Sequence, residues 1–390
     1  MRKVNPAELN SPNKEYYVTA AIAIFVLMLL CSNVNAEYFY WGEWGSEGSG
    51  GGQAEFFVED LDVAAEGTIY VPDVLNSQIR YFSPVGSFLG KWGIQGWREG
   101  EFEEPALVAV PPNDTVYVVD SYYNRVQYFT KSGSFLGGWD LEDFAGSFMR
   151  CPSGIAVAPD GDVYLLDAIG NQVFRYTLSG SFISKWGTSG SRPGEFDNPI
   201  GIAYSSNGYV YISDTKNDRV QYFNRNGSLL GLWGETGKGK GQFRYPTGIA
   251  VSEEGIVFVP DSRNHRLQYF TSAGSFLGEW GSLGKGPGEF SHPRAAALGL
   301  DGTVYVADTG NDRVQFFKDY PRSDEDEPVP GFAGTATGPK TDPAETPVDT
   351  APAKLDTVLI SLIVLFLAVS IVLVIFAIIG TRLYIRSRRR

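Results

Sequence analysis

Tyr40-Trp41-Gly42-Glu43-Trp44-Gly45 is a stretch that returns late in the chain as Phe276-Leu277-Gly278-Glu279-Trp280-Gly281. Weaker copies end at Trp92, Trp139, Trp186 and Trp233, and from Trp92 to Trp280 the tryptophans fall 47 residues apart. The next copy would end at Glu327, inside an acidic segment without a strand pattern. The last repeat therefore lacks this strand, and the first copy stands alone at the front. This offset predicts a closed ring, because an N-terminal strand that completes the final unit removes the open sheet edges.

Each 47-residue repeat also has an aspartate at the same position, with an aromatic residue three positions before it and another nine positions after it. Aromatic side chains held in phase around a ring fill the space between neighbouring sheets, so we predict that these positions form the core. The aspartate, and the arginine that follows it in most repeats, are predicted to hold loops together by hydrogen bonds. The six aspartates are Asp73, Asp120, Asp167, Asp214, Asp261 and Asp308.

The fifth repeat shows the strand pattern most clearly. It predicts four strands over residues 248–251, 256–260, 266–270 and 275–280, separated by turns rich in glycine. The small residues of the first strand suit the crowded centre of a ring. No helical period is present in the repeats, so we expect an all-β fold.

The repeat unit runs Phe-x-x-Pro-x-Gly-Ile-Ala-Val, then Val-Tyr-Val-x-Asp, then Arg-Val-Gln-Tyr-Phe, then Gly-x-Phe-Leu-x-x-Trp-Gly. This unit closely resembles the NHL repeat, most nearly at residues 243–270 and 290–317, and the resemblance covers residues 38–318. It implies a six-bladed β-propeller over residues 37–320. The first repeat departs from the pattern, because Asp62 stands where the other five repeats have alanine.

The segments that flank the repeats predict an export signal and a membrane anchor. Residues 1–36 place basic residues before a short apolar run and small side chains, as in a cleaved signal peptide; an uncleaved anchor is the alternative. Residues 321–356 form an acidic, Pro- and Thr-rich stalk. Residues 357–380 contain an uncharged stretch long enough to span a membrane, and residues 381–390 are a basic cytoplasmic tail.

These flanks predict a single-pass protein of the cell membrane whose ring lies outside the cell. The tripeptide Pro330-Gly331-Phe332 resembles an archaeal sorting signal, which leaves open a processed span. Removal of the signal leaves Cys151 as the one cysteine, so we expect packing and strand pairing to hold the ring together. The sequons at Asn113 and Asn226 are compatible with an exported domain.

Function is expected in side chains that do not repeat, because a residue present in every unit does not mark one site on the ring. The loops after the second strands and between the repeats carry exposed aromatic and basic residues, which are typical of recognition surfaces. We predict a face that binds a protein, peptide or glycan. Its candidate residues are Trp97, Arg98, Tyr122, Tyr123, Arg244, Tyr245, Arg263, His265, His292 and Arg294.

Charge argues against a nucleic-acid ligand. Residues 37–320 contain 21 basic and 35 acidic residues, a net charge of −14. Affinity for nucleic acid depends on neutralising phosphates, so an acidic ring outside the cell is a poor candidate.

An enzyme is the alternative interpretation, as a lyase or hydrolase with a metal site in the central channel. The peptidyl-hydroxyglycine lyase propeller resembles this fold and uses several histidines to bind zinc, whereas His265 and His292 are the only histidines of this chain. Catalytic zinc ordinarily takes about three protein ligands, so we favour a binding module without a cofactor. Asp60 and Asp62 near the axis leave open a calcium site, the other interpretation being carboxylates bound to water.

Overall fold

The computed structural model describes residues 38–45, 58–141, 149 and 151–319. In this part of the chain, 24 strands form six four-stranded antiparallel sheets, which are the blades of a β-propeller. Each of the first five blades uses four consecutive strands. The sixth combines three C-terminal strands with the N-terminal strand, in the order β1-β24-β23-β22. The predicted all-β propeller is confirmed.

The strands are numbered in chain order, and each blade is given from the inner to the outer strand. Blade 1 has β2 (Asp62–Val63), β3 (Ile69–Asp73), β4 (Gln78–Phe82) and β5 (Phe88–Trp92). Blade 2 has β6 (Pro105–Ala109), β7 (Val116–Asp120), β8 (Arg125–Phe129) and β9 (Phe135–Asp140). Blade 3 has β10 (Pro152–Val157), β11 (Asp162–Asp167), β12 (Gln172–Thr177) and β13 (Phe182–Trp186).

The other three blades follow the same plan. Blade 4 has β14 (Ile202–Tyr204), β15 (Tyr209–Asp214), β16 (Arg219–Asn224) and β17 (Leu229–Trp233). Blade 5 has β18 (Ala250–Val251), β19 (Val257–Asp261), β20 (Arg266–Phe270) and β21 (Phe276–Trp280). Blade 6 has β22 (Ala295–Leu298), β23 (Val304–Asp308), β24 (Arg313–Lys318) and β1 (Phe39–Trp44).

Burial explains the residue types of these strands. The second strands, such as β7 and β19, are buried along their whole length and are rich in valine and aromatic residues, because neighbouring blades cover both faces. The outer strands alternate between partly buried and exposed residues, since only one face meets the next blade. The predicted core aromatics are buried, including Tyr70, Tyr164, Tyr211, Phe82 and Phe129.

The N-terminal strand completes blade 6 in the register that the sequence repeat predicts. Tyr40 pairs with Phe317 and Gly42 with Phe316, and the ladder is irregular between Tyr40 and Gly42. In blade 5, Phe276 pairs with Phe270 and Gly278 with Tyr269, with the same irregularity. Glu43 and Glu279 each accept an ion-pair hydrogen bond from the arginine of the neighbouring third strand, at 2.7 and 2.6 Å. The predicted closure of the ring is confirmed.

Packing between blades closes the same seam. Five of the six outer-strand tryptophans, all except Trp280, lie beside a glycine turn of the next blade, and Trp44 of blade 6 lies beside Gly86 of blade 1. Gly86 has φ +83°, and a Cβ placed there would come 2.7 Å from the Trp44 ring. Trp44 is only 5% exposed and also contacts Phe82 of blade 1. Blade 6 is therefore joined to blade 1 by side chains as well as by strand order.

The repeated aspartate and arginine hold the loops together, as predicted. In blade 5, the Arg266 side chain donates to Asp261 at 2.9 Å and to the carbonyls of Lys238, Gly239 and Gln242, which belong to the loop entering the blade. We call this arrangement the arginine clamp. Arginine holds this position in four blades and glutamine in two: Arg125, Arg219, Arg266 and Arg313, and Gln78 and Gln172.

The first strand of the fifth repeat is shorter than predicted. It was expected over residues 248–251, but β18 contains only Ala250 and Val251. The backbone N–H of Gly248 instead donates to the Arg294 carbonyl of blade 6 at 2.7 Å. The start of the strand is thus used to join two blades rather than to extend its own sheet.

Among the described residues, no helix is long and apolar enough to cross a membrane. The predicted signal (1–36), stalk (321–356), span (357–380) and tail (381–390) lie outside these residues and stay predictions.

Candidate functional site

The antiparallel order of the strands gives the ring two different faces. The loops after each second strand and the loops between blades lie at one end of the sheets, which we call the loop face. The short turns between first and second strands and between third and fourth strands lie at the other end, the turn face. All ten candidate ligand residues belong to loops of the loop face.

The candidate residues form two groups on this face. On blade 2 and the loop entering it, Tyr122 and Tyr123 contact each other with ring centroids 5.0 Å apart, and Arg98 lies over the ring of Trp97. The second group surrounds the loops of blades 5 and 6. In it the guanidinium of Arg263 lies 4.4 Å from the Tyr245 ring centroid, and the His265 and His292 rings are 4.6 Å apart. Its remaining members are Arg244 and Arg294.

The structure adds exposed apolar residues that sequence reasoning missed. Leu75 and Ile169 occupy the positions in blades 1 and 3 that Tyr122 occupies in blade 2, and the exposed fractions of Leu75, Ile169 and Tyr122 are 66%, 57% and 66%. With Ile94 (62%) and Trp97 (68%) they form an apolar arc on blades 1 to 3. The signal was available in the sequence, because Leu75, Tyr122 and Ile169 are 47 residues apart.

Tyr245 is held in an unusual backbone conformation. Its φ is +59°, a region that bulky residues rarely adopt, and it precedes Pro246. Two carboxylates hold it there: its N–H donates to Asp218 at 2.7 Å, and the N–H of Arg244 donates to Asp261 at 2.7 Å. The residues 47 positions before and after it, Asn198 and His292, also have positive φ values of +51° and +50°, so the conformation belongs to the repeat and here carries a tyrosine. The Tyr245 ring and the Arg263 guanidinium above it are therefore positioned before any ligand arrives.

The two histidines meet in a similar loop contact. The backbone N–H of His292 donates to Nδ1 of His265 at 3.2 Å, so the ring proton of neutral His265 is on Nε2. Burial lowers the pKa of His265, and the nearby His292 and Lys238 lower it further. Within the described residues, no three or more His, Cys, Asp or Glu side chains form a group that could hold a metal ion.

The central channel has two cavities. The one nearer the loop face has a volume of about 60 Å³, and at its wall Arg294 forms an ion pair with Glu59 at 2.9 Å. The one nearer the turn face has a volume of about 300 Å³. Ile155, Ile202 and Ile249 line both cavities and mark the boundary between them. The cavity towards the loop face is thus the smaller of the two, and both have carboxylates in their walls.

Asp60 and Asp62, the predicted calcium ligands, join blade 1 to blade 2. Asp60 accepts a hydrogen bond from the Val108 N–H at 2.9 Å, and Asp62 accepts one from the Val110 N–H at 2.7 Å. Other inner contacts between blades include hydroxyl groups, as where Ser153 donates to the Pro199 carbonyl. Calcium takes about 6–8 oxygen ligands, and these two carboxylates each already accept an N–H. The calcium site stays a prediction.

Burial raises the pKa of Asp60 to about 7 and that of Asp62 to about 6, from 3.8. The hydrogen bonds from Val108 and Val110 oppose this rise, and the Asp62 carboxylate adds to it for Asp60. Because the folded protein binds these protons more tightly than the unfolded chain, stability is highest below the unfolded pKa and falls as the pH rises through the folded pKa values.

We therefore expect the melting temperature of the full chain to fall between about pH 4 and pH 7, with each unit of pKa difference contributing up to about 1.4 kcal/mol. Asp60→Asn keeps an oxygen for the Val108 N–H but removes the titration, so its melting temperature should depend less on pH. Glu99→Gln, at an exposed loop position, is the control and should keep the wild-type slope. An Asp60→Asn variant with the wild-type slope would contradict this assignment.

The repeat unit of the ring matches a known family. The family model described as "NHL repeat" matches residues 196–223 and 243–270, which are parts of blades 4 and 5 with their entering loops. No curated protein sequence matches the chain.

Several solved structures share the fold. Virginiamycin B lyase from Staphylococcus aureus is 13% identical with a TM-score of 0.51, over 72% of this chain and 99% of the lyase chain. A protein of unknown function from Bacteroides thetaiotaomicron is 15% identical with a TM-score of 0.55, over 72% and 76%. A gluconolactonase from Xanthomonas campestris is 16% identical with a TM-score of 0.51, over 67% and 85%. Likeness at these identities shows a common fold and carries no activity with it.

Proposed function

Because this chain belongs to the NHL-repeat β-propeller family, we propose that its ring is a binding or sensing module that recognises a protein, peptide or glycan on the loop face. In this proposal the predicted signal and C-terminal span put the ring outside the cell, held to the membrane by one helix. The exposed apolar arc is the observation that carries the proposal.

The apolar arc supports recognition because these side chains cover nothing in the ring. Leu75, Trp97 and Tyr122 are each at least 66% exposed. Exposed large apolar side chains gathered on one face of a domain commonly mark an interaction surface. Tryptophan and tyrosine are also the residues that contribute most to binding energy at protein interfaces.

The arginine clamp supports recognition by fixing the loops that carry these residues. Arg125 donates to the carbonyls of Trp97 and Glu101 at 2.7 Å each, and Gln127 donates to the Glu101 carbonyl at 2.8 Å. The Trp97 loop is thus held before a ligand binds. A surface ordered in advance loses less entropy on association, which favours affinity.

The positions of the two sequons agree with a ligand site on the loop face. Asn113 lies in the turn between β6 and β7, and Asn226 lies in the turn between β16 and β17. Both residues are exposed, and both belong to the turn face. Glycans attached there would leave the loop face open to a ligand.

An enzyme remains the alternative, as a lyase or hydrolase with a metal in the channel. Its support is the juxtaposition of His265 and His292, together with the existence of a lyase on the same fold, the virginiamycin B lyase, of which a catalytically inactive variant is known with quinupristin. Neither histidine lines either channel cavity. Metal analysis of the purified protein tests this alternative.

Selection of peptides from a random phage library by the purified full chain tests the binding proposal. We expect enriched peptides whose binding falls at least about 10-fold when Trp97 or Tyr122 is replaced by alanine, because truncating an aromatic anchor typically costs about 1–4 kcal/mol. Leu300→Ala is the matched control, since Leu300 is 67% exposed but lies in a turn of the turn face. Enriched peptides that bind both loop-face variants as well as the wild type would contradict the proposal.

A further inference from the structure

We propose that Arg244 and Arg263 form a site for the carboxylate groups of an acidic peptide. This inference rests on the proposed function and names the chemistry of its ligand. Three observations carry it: the charges of the two arginines are uncompensated, one of them is positioned by an aromatic ring, and the surrounding carboxylates are engaged by other groups.

The first observation concerns the pairing of arginines. From β14 to the end of β24 the chain has seven arginines, and five of them form ion pairs with a carboxylate. Arg244 and Arg263 form none with the described residues, and both side chains are exposed. The five paired arginines are Arg219, Arg225, Arg266, Arg294 and Arg313.

The second observation is the position of Arg263. Its guanidinium lies 4.4 Å from the centre of the Tyr245 ring, and Tyr245 is itself fixed by the hydrogen bond from its backbone N–H. Stacking on a ring uses the flat face of a guanidinium and leaves its N–H edge available for hydrogen bonds. The backbone N–H of Arg263 also donates to the Arg244 carbonyl at 3.1 Å, which keeps the two loops together. The edge of the Arg263 guanidinium is therefore available to a planar anion, and Arg244 lies on the adjoining loop.

The third observation is the state of the nearest carboxylates. Asp218 accepts hydrogen bonds from the Tyr245 N–H and the Thr236 hydroxyl, at 2.7 Å each. Asp261 accepts from the Arg244 N–H and from the buried Arg266 side chain. Both carboxylates are thus used to build the loops. The charge of the two exposed arginines remains for a ligand to neutralise.

The overall charge of the ring selects among anionic ligands. A net charge of −14 over residues 37–320 repels long polyanions, and the acidic residues Glu99 and Glu104 are exposed on the same face. Two arginines suit one or two carboxylates, with bidentate hydrogen bonds. The apolar arc on the same face suits apolar side chains of the same ligand. A peptide that mixes acidic and apolar residues fits these features better than a sulfated glycan or a nucleic acid.

Fluorescence anisotropy with a labelled short peptide of alternating Glu and Phe tests the inference on the full chain. We expect saturable binding that weakens about 10-fold or more in Arg263→Gln and in Arg244→Gln, because each variant loses charge-assisted hydrogen bonds to the peptide. Arg192→Gln is the control for charge, because Arg192 is also exposed on the loop face and its guanidinium forms no ion pair with the described residues. Its affinity should change less than about 2-fold.

Three outcomes would overturn the inference. They are equal binding of a peptide with Gln in place of Glu, equal weakening by Arg192→Gln, and tighter Arg263-dependent binding of a heparin oligosaccharide. Phage-selected peptides whose binding depends on Trp97 but not on Arg263 would contradict the carboxylate site and would still support the proposed function. Selected peptides whose binding depends on neither residue would contradict both the carboxylate site and the proposed function.

Discussion

Deletion of residues 38–45 is expected to lower the melting temperature of the full chain by more than about 10 °C or to cause aggregation. These residues contain β1, the strand that completes blade 6. Without it, β24 becomes an unpaired edge, and such edges template association with other chains. The deletion also removes Trp44 from its contacts with both Phe316 of blade 6 and Phe82 of blade 1.

A single substitution at the contact between blades 6 and 1 tests how much stability this closure contributes. Trp44→Ala removes a side chain that is only 5% exposed, and replacing a buried Trp or Phe by alanine typically costs about 3–5 kcal/mol. That is a large part of the roughly 5–15 kcal/mol that stabilises an ordinary domain. Thermal unfolding followed by circular dichroism measures both variants.

Two controls separate closure from a general effect of altering the chain. Leu89→Ala changes an outer-strand residue that is 52% exposed, and we expect a change of less than about 0.5 kcal/mol. Deletion of residues 324–350 removes part of the predicted stalk and should leave the melting temperature almost unchanged. If the stalk deletion and the deletion of β1 destabilise the protein equally, the closure account is wrong.

Asp261→Ala is expected to cost about 3–5 kcal/mol, the usual penalty for removing one partner of a buried ion pair. Asp261 is completely buried, and its carboxylate accepts from the side chains of Arg266, Asn264 and Gln268 and from the Arg244 N–H. The substitution removes a buried, charged acceptor from all four of these donors. It should also loosen the loop that positions Tyr245, so binding at the loop face should weaken together with stability.

Glu253→Ala is the matched control for this variant, because Glu253 is an exposed carboxylate in a turn of the same blade. Arg266→Gln is an informative second variant, since blades 1 and 3 have glutamine at the same position, and it should cost less than Asp261→Ala. Chemical denaturation compares the three. A cost for Asp261→Ala within about 1 kcal/mol of that for Glu253→Ala would contradict the role assigned to the clamp.

The sequence could predict the fold because the ring repeats one unit. The 47-residue spacing of the tryptophans located every outer strand, and the single copy at Tyr40 to Gly45 predicted the closing strand. The copy also predicts the register of β1 against β24, because the two copies place a glycine at the same position. A Cβ on Gly42 would come 2.6 Å from the Phe316 ring, and Gly278 lies beside Tyr269 in the same way. A packing contact that recurs in every blade selects the same residue type at the same position of every repeat.

The candidate site was harder to predict, because its residues are defined by exposure and by contacts between loops. Tyr245 and Arg263 were identified as candidates, but the stacking between them depends on a positive φ that residue types do not indicate. Leu75 and Ile169 were missed, because aliphatic residues in a repeat ordinarily belong to the core. For Asp60 and Asp62 the sequence left open a calcium site or channel-lining carboxylates bound to water. It does not indicate their hydrogen bonds to blade 2, which depend on how two inner strands lie together.

Hydrogen exchange of the full chain, with and without a phage-selected peptide, most directly tests the claim that the loop face is the recognition surface. The account predicts slower exchange of backbone amides in residues 93–104, 121–124, 234–246 and 262–265, which are loops of that face. The inner strands and the turns of the turn face should exchange at unchanged rates. Protection confined to the channel-lining strands or to the turn face would contradict it.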